Sequence, residues 1–114
     1  MILKDFHKIE DIINCEGSIL SLYVRGIDNK TKLFFSSRTN NEDYLFFQIS
    51  LRSLKDYFLS TVTLNDLLKI NKSKKYLLQV KSSKKMFFHI KNMSNVELVF
   101  GDVYYEELNK NIKS

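Results

Sequence analysis

Three phenylalanine doublets constrain this chain more than any other feature: Phe34-Phe35, Phe46-Phe47 and Phe87-Phe88. Each sits in a short run with strand character: KLFFSS at 32–37, YLFFQIS at 44–50 and MFFHI at 86–90. Adjacent residues of a strand point to opposite faces. Each doublet therefore puts one large ring on either side of a sheet. An antiparallel sheet with one wet face alternates apolar and polar residues instead. Much of both faces must then be covered. Two short helices can cover one face. Terminal segments, a strongly curled sheet or a second protein molecule must cover part of the other. Exposed aromatic area beyond roughly a few hundred Å² on such a face marks an interaction site.

The remaining elements fall around these runs. SILSLYVR, residues 18–25, alternates Leu20, Leu22 and Val24 against Ser21, Tyr23 and Arg25, which predicts a strand. A Gly26-Ile27-Asp28-Asn29-Lys30 turn leads from it to KLFFSS, because Gly and Asn tolerate positive φ. After YLFFQIS, Leu51, Leu54, Tyr57 and Phe58 recur at helical spacing over 51–60, with Ser50 or Ser53 as cap. Thr63-x-x-Asp66 has capping-box spacing and opens a second helix over 64–70. VELVF, residues 96–100, is a strand candidate. Asp102 can cap a last short helix over 103–109. The N-terminal residues 6–14 stay open. Phe6, Ile9 and Ile13 have helical spacing, yet the Ile-rich stretch 9–14 fits a strand equally. The expected fold is α+β: an antiparallel sheet of five to six strands, two short helices inserted between strands three and four, and a short C-terminal helix, all in one domain of 114 residues.

The stretch KYLLQVKSSKKMFFHIK, residues 75–91, reads as a β-hairpin with a polar turn at 81–85. Tyr76, Leu78 and Val80 would share a core face with Met86, Phe88 and Ile90. The opposite face would carry Lys75, Leu77, Gln79, Lys81, Lys85, Phe87, His89 and Lys91, with Lys84 in the turn. Charge is concentrated in this region. The segment 69–91 holds eight lysines and no acid, while 1–68 balances at −1 and 92–114 at −2. All of the +5 net excess thus comes from one segment. Lys75, Gln79, Lys81, Lys84, Lys85, Phe87, His89 and Lys91 form the candidate partner- or nucleic-acid-binding set. Lysines attract phosphates through counterion release, and Phe87 could stack on an unpaired base. Three readings of the face compete: a solvated face that protects a sheet edge, a surface for an acidic protein, and a nucleic-acid surface without a known motif.

No constellation of catalytic residues stands out. His7 and His89 have no metal-ligand spacing, and the lone Cys15 has no second thiol with which to hold zinc or close a disulfide. Glu106-Glu107 are adjacent on a helix and so point about 100° apart, which makes them no acid/base pair. Gly17, Gly26 and Gly101 are isolated and form no phosphate-cradling loop. No catalytic residue, metal or cofactor is therefore expected. The apolar runs are too short to cross a bilayer, and the N-terminus carries acids among its apolar residues instead of a signal-peptide pattern. A cytoplasmic protein is the expectation. The absence of Pro and Trp beside abundant Lys, Asn, Ile and Ser suggests an AT-rich genome, bacterial or phage.

The order of elements over 9–80 resembles a small uncharacterised bacterial domain family. Members run strand, strand, strand, an I-S-x-x-x-L helix, an L-x-x-L helix and a strand, as in the ISLRSLKDYF, VTLNDLL and YLLQV segments here. The resemblance implies a strand at 9–14 and brings no activity and no site residues. The function expected from the sequence is a small non-enzymatic binding module acting by protein–protein interaction, of inhibitor, immunity or accessory-subunit type, with homodimerisation an option. The alternative is a nucleic-acid-binding protein using the basic aromatic hairpin.

Overall fold

The computed structural model describes residues 5–27, 30–70, 74–81, 84–90 and 96–112. Six strands form one antiparallel meander: β1 (His7–Asn14), β2 (Ser18–Ile27), β3 (Lys30–Arg38), β4 (Tyr44–Ile49), β5 (Lys75–Lys81) and β6 (Lys84–Ile90), each paired with its sequence neighbour. Helices α1 (Leu51–Phe58) and α2 (Leu64–Ile70) join β4 to β5, and α3 (Tyr105–Ile112) follows the sheet. The class is α+β.

Three expectations change. Residues 7–14 form a strand, so the two helices follow the fourth strand and not the third. The β1–β2 pairing draws on Ile13 opposite Leu20, and helical spacing of Phe6, Ile9 and Ile13 loses to it. The strand expected at 96–100 is reduced to an isolated bridge between Leu98 and Thr39. Val99 N–H donates to Arg38 O at 2.8 Å, and Asn40 N–H to Glu97 O at 2.9 Å. Phe100 at φ 59° then turns the chain away before a ladder can extend. Finally, the last helix lies two to three residues later than expected.

The helix starts follow local chemistry. Ser50 Oγ accepts from Ser53 N–H at 3.0 Å and caps α1. Before α2, Asp66 N–H donates to Thr63 Oγ1 at 3.2 Å, while Thr63 N–H donates to Asp66 Oδ2 at 3.0 Å. This is the reciprocal capping box read in the sequence. Gly17 turns β1 into β2 at φ 106°, and a Cβ there would meet Arg38 Nη2 at 2.8 Å.

The Phe doublets divide as strand geometry demands. Phe35 and Phe47 join Leu20, Leu22, Leu45 and Ile49 on the face covered by Tyr57 of α1, Leu64 and Leu67 of α2, and Leu108 of α3. Phe34 and Phe46 point the other way and pack with Tyr76 and Leu78 around Phe6. Phe6 lies just before β1, yet its ring centroid is 4.9 Å from Phe34, 5.3 Å from Phe46 and 5.4 Å from Phe87 of β6. In a flat sheet β1 and β6 would stand ~24 Å apart, at ~4.8 Å per strand. The sheet is therefore curled around Phe6, and the Arg25 guanidinium lies 5.4 Å from the ring centroid. A curled sheet plus a terminal residue covers the second face.

Candidate interaction surface on the β5–β6 hairpin

The hairpin forms where expected, but one step out of the expected register. Val80 faces Lys85, Gln79 faces Met86, Leu78 faces Phe87, Leu77 faces Phe88, Tyr76 faces His89 and Lys75 faces Ile90. Directly paired residues share a face. Tyr76, Leu78 and Val80 thus share the inner, curled face with Lys85, Phe87 and His89. Lys75, Leu77 and Gln79 share the helix-side face with Lys84, Met86, Phe88 and Ile90. The strands run on to Lys81 and Lys84, so the connection is shorter than the five-residue turn expected. A slip of one residue moves every side chain of a strand to the other face.

This register splits the predicted site. Lys75, Gln79 and Lys84 lie on one face, and Lys85, Phe87 and His89 on the other. Lys81 closes β5, its side chain outside what is described, and Lys91 lies outside the described residues. Phe87 is half-buried. Its ring is stacked on Tyr76 at 5.5 Å and edge-on to Phe46 at 5.2 Å, with Phe6 at 5.4 Å. It belongs to the inner aromatic core and is no open platform for a base. His89 is exposed, with its ring 5.6 Å from that of Tyr76. Lys84 and Lys85 are exposed.

The residues that the wrong register hid are Met86 and Phe88. Expected in the core, they stand 52% and 38% exposed on the helix-side face. Leu77 of β5 is the outermost fully buried residue of that face, and on β6 Ile90 is half-buried against the same core while Met86 and Phe88 stay exposed. The Phe87-Phe88 doublet did require one ring on each face. The flanking lysines gave no sign of which ring was which, since Lys tolerates either side.

Two open clefts among the described residues touch the base and the tip of β5. One, of about 700 Å³, lies between α2, the start of β5 and the segment around Leu98; it mixes Lys69 and Lys75 with Glu97 and Asp102. Asp102 already accepts a hydrogen bond from Asn65 Nδ2 at 2.6 Å. The other, of about 670 Å³, is lined by Arg38 and Tyr44, which bond to each other at 3.2 Å. Among the described residues no three His, Cys, Asp or Glu side chains converge as metal ligands, and no helix is long and apolar enough to cross a membrane. Perturbed carboxylates occur away from the hairpin. Hydrogen bonds from Ser21 and then Lys8 hold Asp11 below the ordinary carboxylate range. The backbone and hydroxyl of Thr63 do the same for Asp66 at the start of α2. Both serve local structure.

Compared with protein-family models, curated proteins and solved structures, the chain matches none. The functional reading therefore rests on the surface itself.

Proposed function

We propose that this chain is a non-enzymatic binding module that engages another protein through the β5–β6 hairpin, as an inhibitor, an immunity factor or an accessory subunit would. The observation that carries the reading is the exposure of Met86 and Phe88 beside Lys84 and Lys85 on the outermost strand. Large apolar side chains framed by charge are the anatomy of an interface core with a polar rim. The nucleic-acid reading keeps the lysines but loses its stacking ring, because Phe87 is engaged by Phe6, Phe46 and Tyr76.

The two rings of the doublet separate binding from stability. Phe88→Ser removes an exposed contact and leaves the inner core intact. It should abolish partner binding while the thermal midpoint stays close to wild type. Phe87→Ala opens the inner core and should lower the midpoint. If Phe88→Ser binds the partner as wild type does, the hairpin is not the interface. If affinity falls steeply on a log–log plot against salt and nuclease removes the bound material, the lysines serve a nucleic acid instead.

A further inference from the structure

The two edges of the sheet are treated differently by the sequence. On β1 the pairing slips between Lys8 and Glu10, between Asp11 and Ile13, and between Ile13 and Asn14. Such bulges blunt an edge. Asp11 Oδ1 there also takes Lys8 at 3.0 Å, Ser18 Oγ at 2.9 Å and Ser21 Oγ at 2.5 Å. On β6 nothing of the kind occurs. It pairs with β5 residue for residue from Lys84 to Ile90, without a slip. Its outer side meets no strand among the described residues. A regular edge without bulges is the form that accepts another strand.

Lysine on an edge usually blocks pairing, and its position decides whether it does so here. Protective charges work from the middle of a strand, where an added strand would have to bury them. Lys84 and Lys85 occupy the first two positions of β6, and the stretch Met86 to Ile90 holds no Lys, Arg, Asp or Glu. The lysines can stay in water while the rest of the edge is covered.

We propose that β6 takes an extended, acidic segment of a partner protein as a seventh strand. This rests on the hairpin being the binding surface and specifies how it binds. The incoming strand would lie ~4.8 Å from β6. Its apolar residues would cover Met86 and Phe88 on the helix-side face, its alternating acids would meet Lys85 on the inner face, and an acid at the strand end would meet Lys84. Charge selects this occupant over a second copy of the chain: the segment 69–91 holds lysines and no acid, so a second β6 offers nothing with which to pair Lys84 and Lys85. A nucleic acid has no amide ladder to offer the edge.

The test pans a random library of short displayed peptides on the immobilised full chain, and then follows amide hydrogen exchange with the enriched peptides bound. Strand addition predicts sequences in which acids alternate with large apolar residues and proline is absent. It predicts that alternate amides of β6, those not already paired with β5, gain protection. The K84E/K85E variant should bind those peptides about tenfold more weakly at low salt. No enrichment, enriched peptides with helical spacing or without acids, or binding that leaves β6 amides unprotected would each overturn it. So would protection of β6 that rises with protein concentration alone, which assigns the edge to a second copy, or displacement of the peptides by oligothymidylate. If these arms fail while Phe88→Ser still loses the cellular partner, strand addition is wrong and the hairpin remains the protein-binding surface.

Discussion

At the scale of residues, the inner core and the helix-side core place different demands on their aromatic side chains. Phe6 is the centre of the inner core and touches β3, β4, β5 and β6 through Phe34, Phe46, Tyr76 and Phe87. Phe6→Ala leaves a void that the curled sheet cannot refill, and should cost about 3–5 kcal/mol by denaturant titration. A loss under about 1 kcal/mol would mean that the sheet closes without it. Tyr57 poses the opposite case. It is fully buried against Phe35 and Tyr105, and its hydroxyl has no hydrogen-bond partner among the described residues. Burial, with a smaller contribution from Tyr105, pushes its ionisation far up. Tyr57→Phe should leave stability unchanged or raise it by about 1 kcal/mol, because it removes a desolvated group with nothing to lose. Asp11 gives the acid response. Its carboxyl is held below its ordinary value of 3.8, so the folded state gains from its ionised form above about pH 4. That gain disappears as pH falls through the lowered value. The stability curves of wild type and Asp11→Asn should therefore separate above pH 4 and converge in acid.

At the scale of elements, legibility followed how local the deciding interactions are. The box of Thr63 and Asp66 was readable because both partners lie within one turn. Thr63→Ala should cost about 1 kcal/mol in denaturant titration. An unchanged midpoint would show that tertiary packing, and not the cap, fixes the start of α2. The strands around Phe34-Phe35 and Phe46-Phe47 were readable because a doublet between two covered faces leaves few alternatives. The N-terminal strand was not: its side chains are mostly exposed, and its pairing partner lies across the Gly17 turn. The strand expected at 96–100 failed because strand propensity cannot say whether an edge is free to receive it. The candidate site was half legible. The charge was visible in the composition, and the hairpin that carries it forms where the sequence places it. The register was not, because loop length sets register and KSSKK admits more than one loop.

At the scale of the whole molecule, one edge is bulged and tied by Asp11, one face is sealed by helices and the other by Phe6. Among the described residues, β6 stays open, with its two lysines and its two exposed apolar side chains. The Cα radius of gyration, 13.6 Å, is close to the ~13 Å expected of a compact chain of this length. The most direct measurement is photo-crosslinking in host cells, with a photoreactive phenylalanine analogue at Met86 and, in a second variant, at Leu51. Leu51 is the control because it is 74% exposed at the start of α1, away from the hairpin. A protein-binding hairpin gives a discrete, nuclease-resistant crosslinked protein from position 86 and none from position 51. A crosslink from 51 alone, or a product from 86 that nuclease removes, would contradict it.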